Sequence, residues 1–285
     1  MNNMNKSEVL HILNQLGIRP NKNLGQNFLI DKNTVSKIIL ESKIKKKESI
    51  LEIGPGLGAL TEELVKNPNQ IYAYEIDSVL FSYLSNKFSN YENLKFYNED
   101  ILKAKIPSHD IIISNIPYSI TGPIFEKVFY NPQPPRGALI IENSIAERLF
   151  NKNNYKTLSR ITVTFNAFMI PVRKFKISRF NFFPSPKIEL SLVIVEPRKP
   201  IDQMLISDEG RAFFLKFVAG IMPYKNKNMV NAINYFLKSD KNFNYSKQHI
   251  EDFLHKNQIK NNKLAQFSVD EIIELSKKFY TFLNN

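Results

Sequence analysis

Residues Asn115-Ile116-Pro117-Tyr118 follow an apolar run, Asp110 to Ser114. They bring an amide, a backbone carbonyl whose direction a proline constrains, and an aromatic ring to the end of a buried-strand pattern. Two acceptors and a stacking face are an unusual way to leave a core. Upstream, Gly54, Gly56 and Gly58 stand in LEIGPGLGALTEEL, between a strand pattern and a helical one. Glycine there lets the backbone approach a ligand and aims the free N–H groups of the helix start at it. The spacing G-x-G-x-G, with Pro55 inside and Glu52 before it, departs from the G-x-G-x-x-G of dinucleotide-binding turns, which remain a competitor. A glycine-rich turn without any ligand is the plainer alternative. Glu75 ends the next strand pattern, where a carboxylate accepts both hydrogen bonds of a ribose diol, and this favours a nucleoside ligand. Asp100 ends the third strand pattern and Asn115 the fourth, so successive strand ends each carry one polar group.

Those groups require a sheet to hold them. Strand patterns occur at 49–53, 71–76, 94–99, 110–114, 137–142, 161–168 and 188–195, with helical patterns between the earlier ones. The alternation predicts an α/β domain with a seven-stranded, mostly parallel sheet, whose ligand sits at the carboxyl ends of the strands. Pro171, Pro184 and Pro186 interrupt the stretch between the last two patterns, leaving no room for a long crossover helix and predicting an antiparallel pair. After Glu196-Pro197-Arg198-Lys199-Pro200 only helical patterns follow, the last opened by Ser268 with Glu271 in capping-box register. The expected domains are 1–197, with an N-terminal helical arm, and 198–285.

A net charge of +12 on 285 residues suits a polyanionic partner. A biased genome composition, rich in Lys, Asn and Ile, is the blander explanation. The absence of cysteine and of an apolar leader at the amino terminus predicts a cytoplasmic protein without disulfides or thiolate chemistry. No stretch is apolar for long enough to span a membrane. Four histidines without metal-binding spacing predict no metal.

The stretches GQNFL (25–29), LEIGPGLGALTEEL (51–64), YEID (74–77), NED (98–100), NIPY (115–118) and FFPSPKI (182–188) resemble, in order, the motifs of the ribosomal RNA adenine dimethyltransferases. The similarity is greatest to the small-subunit, KsgA-type branch and covers about residues 20–200, with a helical tail of matching length. It implies a Rossmann-like methyltransferase fold that uses S-adenosylmethionine, releases S-adenosylhomocysteine and methylates N6 of two adjacent adenines in the 3′-terminal hairpin of 16S rRNA. The implied setting is a monomer acting on a partly assembled 30S particle.

By the same resemblance, the Asn115 side-chain oxygen and the Ile116 carbonyl, constrained by Pro117, accept the N6–H bonds of the target adenine. Tyr118 and Phe182 sandwich that base. The donor is held by Gln26, Asn27 and Leu29 of a closing segment, by Gly54 and Gly56, by Glu75 and Ile76, by Asp100 and Ile101, and by Asn115. Lys225 and Lys227 take the place of an arginine-rich RNA-contact segment. Three departures stand out: Asn143 and Ser144 replace a Lys-Glu pair, Lys156 replaces a glycine in Tyr155-Lys156-Thr157-Leu158-Ser159, and 224–228 reads YKNKN. A large-subunit methylase of the macrolide-resistance type and a non-catalytic nucleic-acid-binding factor on the same fold are the competing functions.

Overall fold

The computed structural model describes residues 5–150, 158–239 and 245–284. Nine strands occur among them: β1 (Phe28–Leu29), β2 (Ile50–Ile53), β3 (Ile71–Tyr74), β4 (Leu94–Tyr97), β5 (Ile111–Asn115), β6 (Arg136–Glu142), β7 (Met169–Ile177), β8 (Phe182–Phe183) and β9 (Leu190–Pro197). Seven form one sheet in the order β4-β3-β2-β5-β6-β9-β7. The pairs β2–β3, β3–β4, β2–β5 and β5–β6 are parallel, and β6–β9 is antiparallel. β2 and β5 are apolar runs because both faces of the sheet are covered; Ile50, Leu51, Ile111, Ile112 and Ile113 are all buried. Ser114, buried near the carboxyl end of β5, donates to the Ile53 carbonyl at 2.5 Å and so locks β5 to β2.

Strand order reverses between β2 and β5, the point where open α/β sheets leave a crevice at their carboxyl ends. Gly54 and Asn115 flank it. β1 and β8 form a separate antiparallel ribbon in which Phe28 faces Phe183 and Leu29 faces Phe182. Thus the two sequence-distant motifs at 25–29 and 182–188 are one structural piece.

The pattern at 161–168 is a helix, Arg160–Phe168, and not a strand. Its β-branched residues gave it a strand signature, yet Thr162 through Phe168 are all buried, and burial on every side overrides that local preference. Its polar groups are satisfied along the helix: Thr164 Oγ1 donates to the Arg160 carbonyl and Asn166 Nδ2 to the Thr162 carbonyl, each at 3.0 Å. The seventh strand is instead β7, in the stretch expected to be a connection. It lies at the sheet's edge, the position at which a strand tolerates a proline such as Pro171.

The chain divides into two compact units: Met1–Phe129 with Pro134–Ala146 and Pro171–Pro197, and Tyr130–Gln133 with Glu147–Ile170 and Arg198–Asn285. The second is built on phenylalanine rings, with Phe217 5.1 Å from Phe236 and 5.3 Å from Phe279. Its last helix, Val269–Leu283, carries the Ser268–Glu271 capping box anticipated from sequence.

Candidate active site

The turn after β2 is left-handed at Gly54 (φ 65°) and Gly56 (φ 63°), a conformation that side chains resist. A Cβ at Gly56 would lie 3.0 Å from the Phe28 ring, so the turn also needs glycine for the arm to pack on it. The Gly56 amide donates to Glu75 Oε2 at 3.1 Å, and the Asp77 amide to Oε1 at 3.0 Å. Glu75, just past β3, is buried, and burial pushes its carboxyl up to about 7 against those two stabilising amide bonds. Asp77 caps the helix Ser78–Lys87 and accepts from Gln26 Nε2 at 2.9 Å, tying the arm to the β3 end.

Beneath this turn lies a group that the motif reading passed over. Glu52 is 1% exposed, and burial raises its carboxyl to about 8, the Thr61 hydroxyl at 2.8 Å only partly offsetting the effect. Burial thus favours its protonated form. Its only sequence signal is a carboxylate inside an apolar strand, nine positions before a threonine.

At the end of β5, Asn115 Nδ2 donates to the Asn27 carbonyl at 3.1 Å. Because that partner only accepts, the amide cannot be reversed, and Oδ1 is the atom left over. It is buried and has no hydrogen-bond partner, as is the Tyr118 hydroxyl. Burial holds the Tyr118 phenol well above its usual range, so it stays neutral. The loop is fixed by the Ile116 amide on the Ile140 carbonyl at 3.1 Å and by the Ile120 amide on the Pro117 carbonyl at 3.1 Å.

One cavity, of about 100 Å³, gathers most of the residues singled out from sequence. Gln26, Asn27 and Leu29 line it from the arm, Gly54 and Gly56 from the turn, and Glu75, Ile76, Asp100 and Ile101 from the neighbouring strand ends. Asn115, Ile116, Pro117 and Tyr118 close it. Ile76 is 52% exposed, an apolar face beside the carboxylate. Asp100 Oδ1 accepts from the Leu102 amide at 3.0 Å, which shapes its own turn.

Phe182 is not among the lining residues. It is 2% exposed and packs in the core opposite Leu29, so its ring offers no open face to a base here. Lys225 and Lys227 belong to the helical unit. Lys225 Nζ donates to the Leu158 carbonyl at 2.8 Å, whereas the Lys227 side chain is exposed. Asn143 Oδ1 accepts from Ser191 at 2.7 Å, and Ser144 bonds Glu142, so both have local partners. Tyr155, Lys156 and Thr157 lie outside the described residues. Among the described residues no cluster of three or more His, Asp or Glu could hold a metal, and no helix is long and apolar enough to cross a membrane.

A family model for the ribosomal RNA adenine dimethylases matches residues 17–277. The chain belongs to that family. Among curated relatives, the ribosomal RNA small subunit methyltransferase A of Thermotoga maritima is 34% identical over 268 residues, 94% of this chain and 88% of the relative. The protein of that name from Listeria innocua is 30% identical over 232 residues, 77% of this chain and 78% of the relative. Among solved structures, a dimethyladenosine transferase from Plasmodium falciparum superposes with a TM-score of 0.75 at 22% identity, covering 89% of this chain and 98% of that one. The 23S rRNA methyltransferase ErmE gives 0.63 at 23% identity, covering 88% and 99%. These two show the shared fold. The dimethylase family is one of S-adenosylmethionine-dependent enzymes, and the cavity presents a buried carboxylate, an exposed Ile76 and glycine backbone.

Proposed function

We propose that this dimethylase transfers methyl groups from S-adenosylmethionine to N6 of two adjacent adenines in the 3′-terminal hairpin of 16S rRNA, within a partly assembled 30S particle. The observation that carries the reading is Asn115 Oδ1: a buried acceptor without a partner, held at the switch point of the sheet in a fixed orientation. The curated relatives quoted above are small-subunit enzymes, which favours that substrate over large-subunit RNA.

The N6 lone pair of adenine is delocalised into the ring. Asn115 Oδ1 and the Ile116 carbonyl accept its two N–H bonds and hold the amine with its lone pair free to react. Tyr118 stacks on the extruded base, and Phe182 meets the other face once its ring is uncovered. Glu75 takes the ribose diol, Ile76 and Ile101 the adenine faces, Asp100 the adenine amine, and Gln26, Asn27 and Leu29 cover the donor. The bound donor supplies an electrophilic methyl on a cationic sulfonium, so alignment does the work and neither a metal nor a strong base is required. The S–CH3 bond breaks as the N6–CH3 bond forms, S-adenosylhomocysteine leaves as the second product, and the cationic N6 releases one proton to water. In the second transfer only one N–H remains, and Asn115 and Ile116 cannot both be satisfied.

Labelled S-adenosylmethionine incubated with unmethylated 30S particles should deposit four methyls per particle, two on each of two neighbouring adenines. Label in cytosine, or only in large-subunit RNA, would refute the assignment.

Residues 1–197 are assigned the chemistry, and 198–285 are assigned docking through Lys225 and Lys227. The protein is assigned to the cytoplasm as a monomer, in keeping with its cysteine-free, basic composition. Replacing both lysines by alanine should weaken particle binding and flatten its salt dependence while sparing donor binding. Unchanged particle binding across a salt series would move docking elsewhere.

A further inference from the structure

Immediately before β8, the turn Arg179–Asn181 presents Phe180 to solvent at 71% exposure, the most exposed phenylalanine among the described residues. Single exposed apolar residues are common and need no function. This one is held rigidly. The Phe180 amide donates to Ser178 Oγ at 3.3 Å, Ser185 Oγ donates to the Arg179 carbonyl at 3.0 Å, and the Asn181 carbonyl accepts from the Ile30 amide at 2.9 Å. Asn181 Nδ2 reaches Thr34 Oγ1 at 2.7 Å. Chain entropy favours leaving a surface loop loose, so a turn tied this firmly to the arm gives the Phe180 backbone, from which the ring projects, one defined place.

The charge around it is one-signed. Residues 170–189 contain Arg173, Lys174, Lys176, Arg179 and Lys187 against a single acid, Glu189. Glu189 is taken by Lys176 at 2.8 Å and Glu41 by Arg173 at 2.8 Å, while Arg179 and Lys187 make no ion pair among the described residues. The Arg179 guanidinium lies 5.1 Å from the Phe180 ring centroid, so cation and ring form one platform. A ring beside unneutralised cations is the combination that binds unpaired nucleotides, stacking the base and neutralising its phosphate.

Its place in the fold says which nucleotide. Phe182 and Phe183 pair with Leu29 and Phe28, both of which line the cavity, and Phe180 stands two residues before that ribbon. Taking an adenine out of a stacked loop exposes a face of its neighbour. We propose that Phe180, backed by Arg179, stacks on the base flanking the target adenine and holds the opened loop while transfer proceeds. The inference rests on the reading of the cavity as an RNA adenine site, and it adds a residue that positions the substrate strand and not the target base.

The test uses the full chain and 30S particles assembled from 16S rRNA carrying a ligated synthetic 3′ hairpin. The hairpin is either intact or lacks the base on the 5′ or the 3′ side of the target adenine. Phe180→Ala should lower kcat/KM on intact RNA by roughly tenfold, as loss of one base–aromatic stack does. Phe180→Trp should restore it, and S-adenosylmethionine affinity and Tm should not move. On one of the two abasic RNAs the penalty should vanish, since the partner is already gone. Equal activity of Phe180→Ala and the unaltered protein, or the same loss on all three RNAs, would overturn the proposal while leaving the methyltransferase assignment in place. Failure of the unaltered protein to methylate intact particles would overturn both.

Discussion

Asn115→Ala is expected to slow single-turnover methyl transfer by about 10²–10³-fold, the cost of removing one preorganised hydrogen-bonding group from a reaction centre, and to change donor affinity far less. The Asn115 amide has a divided task. Its nitrogen is engaged by the Asn27 carbonyl, and its oxygen is buried without a partner. Alanine removes both, so the arm loses its tie and, on the proposed reading, the target amine loses its acceptor. Asn115→Asp separates the two effects: an oxygen remains for the amine, but the second oxygen now opposes the Asn27 carbonyl, and two acceptors repel. The aspartate variant should therefore also fail. A single-turnover rate intact in Asn115→Ala, with only donor affinity altered, would remove Asn115 from the chemistry.

Glu75→Ala should do the reverse, weakening S-adenosylmethionine binding by about 100-fold, as expected for losing two hydrogen bonds to a charged acceptor, with a smaller effect on the rate from the bound state. The dependence on pH follows from burial. Burial holds the Glu75 carboxyl at about 7, and under the proposed role the ionised form is the one that accepts both diol hydroxyls. Below that pH the group must give up its proton for the ligand to bind, so affinity should fall about tenfold per pH unit as pH drops below 7, and be flat above it. Glu75→Gln should bind weakly at every pH and lose this slope. A wild-type affinity that stays constant from pH 5 to 8 would show that the carboxylate is not the diol partner.

The strand ends are legible in the sequence because a parallel sheet covered on both faces writes its strands as apolar runs, and the polar residues at or just past the ends of those runs lie at its carboxyl edge. Glu75, Asp100 and Asn115 stand there, and all three line the cavity. The run at 161–168 misled for the same reason: complete burial also makes a helix read as an unbroken apolar segment, and its threonines imitate β preference. β7 was hidden by Pro171 and by its basic, partly exposed face, which are edge-strand features that one sequence cannot separate from a loop. The burial of Phe182 could not be read because it depends on Leu29, about 150 positions away, pairing with it across the ribbon. Glu52 looked like a flank of the glycine turn; its raised carboxyl depends on how deep β2 lies.

The helix Arg160–Phe168 has a consequence for how the protein is made. It packs on the helices Asp208–Ile221 and Val269–Leu283, both synthesised after β9. At roughly 5–20 residues per second, the hundred or so residues between Phe168 and the last helix take on the order of 5–20 s to emerge. Once Pro197 has emerged, every strand of the sheet is out of the ribosome, while Phe168 and the Tyr130 ring stacked on it at 5.2 Å still await their cover. The methyltransferase sheet thus finishes first, with an apolar helix from the middle of the chain left as the exposed segment for a chaperone to hold.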